Sequence, residues 1–89
     1  MNIDLDIPNY DGNALDVIWG KNAHYSIHTY ENHVVLSANK DGLISLAKQM
    51  LYMAYNDLPY GSHVHFDSFF TQSENNANDL IIELEHQGK

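Results

Sequence analysis

The chain has 89 residues, enough for one domain with one core, and 44% of them are hydrophobic. It contains 12 acidic and 4 basic residues, which gives a formal net charge of −8, and it has no cysteine. Disulfides and thiolate metal sites are therefore excluded, and binding to nucleic-acid phosphates or anionic membranes is disfavoured. We expect a single domain over residues 1–89. Its acidity suits a basic protein partner, although plain solubility would explain the same charge.

The sequence shows no targeting or membrane segment. No stretch approaches the roughly 20 apolar residues that span a bilayer. The first residues lack the basic segment and apolar run of a secretory signal. We therefore expect a cytoplasmic protein.

The first half of the chain predicts β structure. Apolar residues alternate with aspartates over residues 3–7, which is the period of a half-buried strand. Further strands are predicted at residues 15–19, 24–30 and 33–38. These segments are rich in Val, Ile, Tyr and Thr and are separated by turn-forming residues.

The hydrophobic period changes from two to between three and four at residue 41. Apolar residues then mark one face of a helix of about four turns: Leu43, Leu46, Ala47, Met50, Leu51 and Ala54. Lys48 and Gln49 lie off this face. Asn39 or Asp41 can cap the first amides of the helix, and Pro59 prevents its continuation.

Two more strands are predicted, over residues 62–67 and 79–85, with a polar loop between them. The order of elements predicts an α+β fold. We expect a mostly antiparallel sheet of about five to six strands with one amphipathic helix packed on one face. The other face of the sheet is then left to solvent or to a partner.

The strand at residues 62–67 places His63, His65 and Asp67 on one face. Two imidazoles and a carboxylate can ligate zinc or another divalent metal, and His24 and His28 of a neighbouring strand could complete the set. The same alternation also arises on an exposed strand with no function. The chain has no cysteine nucleophile, nucleophile elbow or phosphate-binding glycine loop, so we expect neither an enzyme nor a cofactor.

Two stretches of the chain carry a family pattern. Residues 36–49 contain Asn-Lys-Asp-Gly-Leu at a strand-to-helix junction. Residues 61–67 read Gly-Ser-His-Val-His-Phe-Asp, and Asp-Leu-Ile-Ile-Glu follows at residues 79–83. In this order the stretches resemble the type-32 immunity proteins of bacterial polymorphic toxin systems, over roughly residues 33 to 85. The resemblance implies a cytoplasmic antitoxin that binds and neutralises a cognate toxin domain.

We predict that the toxin contacts lie at the turn after the helix and on the polar face of the last strands. The candidate residues are Asp57, Tyr60, His63, His65, Asp67 and Glu83. The expected partner is a basic toxin domain, with no nucleic acid or membrane, and the chain is expected to be a monomer or small homo-oligomer. The alternative is a metal-binding domain or small metal-dependent enzyme that uses the His-x-His-x-Asp strand.

Overall fold

The computed structural model describes residues 1–66 and 80–85, which form one helix and four strands. In chain order the elements are β1 (Tyr25–Tyr30), β2 (His33–Ala38), α1 (Lys40–Tyr55), β3 (His63–Phe66) and β4 (Leu80–Glu83). β1 pairs with β2 and β3 pairs with β4, both antiparallel. The α+β class with one helix is confirmed. The described residues form two two-stranded sheets, and a single sheet of five to six strands is not confirmed.

The strand predicted at residues 3–7 is wrong, because this segment belongs to neither sheet. Its alternation is nevertheless visible in the burial of residues 4–7, although Ile3 is 67% exposed. Leu5 and Ile7 are half-buried, whereas Asp4 and Asp6 are exposed. Ile7 packs against the core. The alternating sequence pattern therefore reflects which side chains face the core, although this segment forms no strand.

The strand predicted at residues 15–19 is also wrong, and the hydrogen bonds of its backbone show why. The N–H groups of this segment donate to side chains of α1 instead of to a neighbouring strand. The Ile18 N–H donates to Gln49 Oε1 at 2.6 Å. The Gly20 N–H donates to Ser45 Oγ at 2.9 Å. The segment thus lies along the helix, where the alternate N–H groups of Asp16, Ile18 and the following Gly20 bond to helix side chains without a sheet.

The predicted helix is confirmed, and Asn39 is its N-terminal cap. The Asn39 side chain accepts a hydrogen bond from the Gly42 N–H at 2.8 Å, which pairs one of the free amides of the first turn. It also accepts the His24 N–H at 3.1 Å and donates to the Asn22 carbonyl at 2.8 Å. Asn39 therefore fixes the start of α1 to the segment that enters β1. No helix among the described residues is long and apolar enough to cross a membrane.

The buried face of α1 differs from the predicted one. Its buried residues are Gly42, Ser45, Leu46, Gln49, Tyr52 and Met53. Leu46 is the only member of the predicted apolar face among them. Leu43 is 53% exposed and Met50 is 49% exposed, whereas Gln49 is fully buried. Relative to the prediction, the helix is turned about its axis so that Gln49 points inward.

One core joins the helix to both sheets. Its buried members are Tyr25, Leu46, Tyr52, Met53, Leu58, Val64 and Phe66. The Tyr25 hydroxyl donates to the Phe66 carbonyl at 2.7 Å, which ties β1 to the end of β3. The ring of Trp19 packs against both residues, with centroids 5.8 Å from Tyr25 and 5.2 Å from Phe66. This packing leaves the second face of β3 and β4 directed away from the core.

Candidate binding surfaces

β3 and β4 present an exposed face that carries three of the predicted contact residues. The register places His63 opposite Glu83 and His65 opposite Ile81, and all four residues are exposed. Their strand neighbours Val64 and Phe66 point into the core, as the alternation of a strand requires. We call His63, His65, Ile81 and Glu83 the polar β-face.

The two histidines of the polar β-face lie side by side. Their ring centroids are 5.1 Å apart and the rings are inclined at 66°. His63 Nδ1 lies 3.1 Å from the Gly61 carbonyl oxygen. Because a carbonyl oxygen only accepts, a hydrogen bond at this position requires the proton on His63 Nδ1. With Glu83 directly across the ladder, the face offers both hydrogen-bonding and acidic groups.

The turn that follows α1 leads directly into this face. Asp57 and Tyr60 are exposed, and Leu58 between them is buried in the core. The Ser62 hydroxyl donates to the Pro59 carbonyl at 2.6 Å and closes the turn. Five of the six predicted contact residues thus lie on this turn or on the polar β-face. The sixth, Asp67, lies outside the described residues.

The structure only partly tests the predicted metal set. Within residues 1–66 and 80–85, no three His, Cys, Asp or Glu side chains are grouped so that they could hold a metal ion. The expectation that His24 and His28 join His63 and His65 is wrong. His28 belongs to the other sheet, where its Nε2 lies 3.1 Å from Ser26 Oγ. A set that includes Asp67 stays a prediction.

The sequence interpretation missed a second surface, on the outer side of α1. Six apolar residues are exposed there: Leu43, Ala47, Met50 and Ala54 at spacings of four, three and four, and Ile44 and Tyr55 to one side of this row. We call them the outer helix stripe. Tyr55 is 83% exposed, and Leu43, Ile44 and Met50 are each about half exposed. The periodicity had identified most of these residues, but it assigned them to the core.

The β1–β2 hairpin also has an apolar face that extends beyond the core. The register pairs Ile27 with Leu36 and Thr29 with Val34 on this face. Ile27 is half-buried and packs against the core. Val34, nearer the turn, is 73% exposed. The hairpin therefore packs against the core at Ile27, whereas its surface near the turn, at Val34, is exposed to solvent.

Together these features describe a small α+β domain with polar and apolar surfaces available for contact with another macromolecule. Residues 33–85 match the family model described as Immunity protein 32, and the chain belongs to this family. The match covers β2, α1, β3 and β4 and confirms the resemblance drawn from the two motifs. No curated protein and no solved structure matches the chain. Family membership indicates an immunity protein.

Proposed function

We propose that the chain is an immunity protein that binds a cognate toxin domain and neutralises it by covering its active site or substrate surface. Membership of the Immunity protein 32 family carries this proposal. The net charge of −8 supports a toxin with a basic surface, because opposite charges steer the two proteins together before contact. Inhibition by occlusion requires no reaction and no cofactor from the chain.

The polar β-face and the turn before it supply the charged part of the proposed contact. Asp57 and Glu83 are exposed carboxylates that can meet basic side chains of the toxin. Tyr60 is 52% exposed, and tyrosine is enriched at protein interfaces. His63 and His65 complete this part with imidazole hydrogen-bonding groups. Asp67, which follows β3 in the sequence, stays part of the proposal.

Co-expression with the C-terminal domain of the protein encoded immediately upstream tests the proposed function. The chain should restore growth in cells that make this domain, and the two should co-purify as a complex. A small acidic protein of similar net charge from outside the family is the control, because charge alone should not rescue growth. Absence of both the complex and the rescue would overturn the proposal.

Charge reversal at the proposed contacts is expected to slow association. Asp57→Lys and Glu83→Lys should each lower the association rate constant about tenfold at low salt, because each replaces an attractive charge by a repulsive one. The difference from the parent should shrink near 1 M salt, where the Debye length is about 3 Å. Stopped-flow mixing with the toxin domain measures these rates.

Glu31→Lys is the matched control for these variants. It makes the same change in net charge at an exposed residue in the β1–β2 turn. A smaller effect from Glu31→Lys supports a contact near the polar β-face. If all three variants slow association equally, only net charge matters, and the contact residues lie elsewhere.

A further inference from the structure

The helix α1 exposes several apolar side chains and buries two polar ones beside Leu46, Tyr52 and Met53. A helix on the surface of a globular domain normally turns its apolar stripe to the core and its polar side to water. In α1 the fully buried Gln49 and the nearly buried Ser45 face inward. The outer helix stripe faces outward along most of the helix. This arrangement leaves exposed apolar surface on the part of the chain that the structure describes, and such surface marks interaction sites on soluble proteins.

Hydrogen bonds on the inner side hold the helix in this orientation. Gln49 Oε1 accepts the Ile18 N–H at 2.6 Å, and Gln49 Nε2 donates to the Asp16 carbonyl at 3.0 Å. Ser45 Oγ accepts the Gly20 N–H at 2.9 Å. Rotation of the stripe towards the core would break all three bonds. These hydrogen bonds therefore fix the rotation of α1 that leaves the stripe exposed.

We infer that the outer helix stripe is the apolar anchor of the toxin interface and docks into a groove of the toxin. This inference rests on the proposed function. Leu43 and Met50 supply large side chains seven residues apart, which is a spacing typical of a helix bound in a groove, and Tyr55 lies to one side of them. Ala47 and Ala54 between them let the groove wall approach the helix closely. At 1.5 Å per residue, the stripe from Leu43 to Tyr55 is about 18 Å long.

Charge favours a basic toxin over a second copy of the chain as the occupant. Two copies would bring together surfaces that each belong to a chain of net charge −8, which opposes self-association. The charges close to the stripe are mixed, with Lys40 beside Asp41 in the first turn of α1, Lys48 within the helix and Asp57 just beyond its end. It is therefore the net charge of the chain that favours a basic partner. The complementary partner is an apolar groove on a toxin of opposite net charge.

The stripe and the polar β-face take different parts in the interface. The turn with Asp57 and Tyr60 follows α1 and leads into β3, so it connects the end of the stripe to the polar β-face along the chain. Charges act over distance and set the rate of encounter, whereas buried apolar anchors set the lifetime of the complex. Removal of the stripe should therefore change dissociation, and reversal of surface charge should change association.

The test is a double variant, Leu43→Gln with Met50→Gln, measured by surface plasmon resonance against the C-terminal domain encoded immediately upstream. Glutamine forms helix about as well as leucine and methionine, so α1 should be retained. We expect dissociation to accelerate at least about 100-fold, because central apolar anchors dominate interface energies. The association rate should change by less than about threefold.

Ile3→Gln is the control, since Ile3 is an exposed apolar residue of the N-terminal segment that belongs to none of the candidate binding surfaces. Its dissociation rate should stay within about threefold of the parent. If the parent binds and the double variant dissociates no faster, the inference is overturned while the proposed function stands. If the parent does not bind, both are overturned.

Measurements on the free chain separate the other possible occupants. Light scattering should show a monomer for both the parent and the double variant. If the parent is a dimer and the double variant is a monomer, the stripe contacts a second copy of the chain, and the inference is overturned. A melting temperature lowered by more than about 5 °C in the double variant would show that the chain itself covers the stripe, and this would also overturn it.

Discussion

Gln49→Met is expected to destabilise the free chain by about 2–3 kcal/mol. Methionine has a similar volume and helix propensity, but it can neither accept the Ile18 N–H nor donate to the Asp16 carbonyl. Leaving a buried backbone group without its partner costs about 1–3 kcal/mol. For a domain of this size the melting temperature should fall by roughly 10–20 °C. Urea denaturation followed by circular dichroism measures the free energy of unfolding.

Lys48→Met is the matched control for this prediction. Lys48 is the neighbouring residue of the same helix, is half-buried, and has a helix propensity close to that of methionine. This control should change the free energy of unfolding by less than about 0.5 kcal/mol. Equal stabilities of the two variants would contradict the role assigned to the amide of Gln49.

The cost at Gln49 follows from its place in a row of polar side chains on α1. Ser45, Gln49, Tyr52 and Asn56 succeed one another at spacings of four, three and four, so they lie on one side of the helix. Each bonds to the backbone of the N-terminal segment, and Asn56 does so at both Pro8 and Tyr10. Loss of Gln49 removes the centre of the row, so limited proteolysis of Gln49→Met should cut residues 1–20 first.

This row also explains which parts of the fold the sequence could predict. The hairpin and α1 form from neighbouring residues, so turn residues, alternation and caps were sufficient to predict them. The partners of Gln49 lie 31 and 33 residues away in the sequence. No local pattern reports a contact at that separation. The rule that glutamine faces water therefore assigned Gln49 to the wrong side of the helix.

The candidate binding surfaces were likewise predictable from the sequence only in part. Strand alternation placed His63 and His65 on one face, and the observed register adds Glu83 opposite His63. The outer helix stripe was missed because apolar residues at helical spacing give the same signal whether they face a core or a partner. A core-facing stripe can be distinguished from a partner-facing one only when the structure shows which residues fill the core. In this chain those residues include polar ones, which hydrophobic periodicity does not detect.

The motif at the start of α1 contains a glycine because the backbone at Gly42 lies very close to the backbone at His24. A Cβ on Gly42 would lie well inside van der Waals contact with the carbonyl oxygen of His24. It would also lie 3.0 Å from Asn39 Oδ1 and 3.1 Å from Ala38 Cβ. The His24 carbonyl accepts the Asn39 N–H at 3.3 Å, so it cannot move without loss of that bond. Only glycine fits at this position.

Gly42→Ala is therefore expected to destabilise the chain by about 2–3 kcal/mol, as overpacking against fixed groups does. A loss of stability would be informative, because replacing glycine by alanine within a helix otherwise stabilises it by about 1 kcal/mol. Differential scanning calorimetry should show a melting temperature lowered by roughly 10–20 °C.

Gly20→Ala makes the same substitution where the nearest atom is the Ser45 hydroxyl, at 3.2 Å, which belongs to a side chain. Because a side chain can adjust where a backbone carbonyl cannot, this control should cost less than about 1 kcal/mol. Equal losses at the two glycines would show that the added methyl group, and not the His24 carbonyl, sets the cost. A larger loss at Gly42 would establish that the Asn-Lys-Asp-Gly motif holds α1 against the segment that enters β1, a structural role separate from the proposed toxin contact.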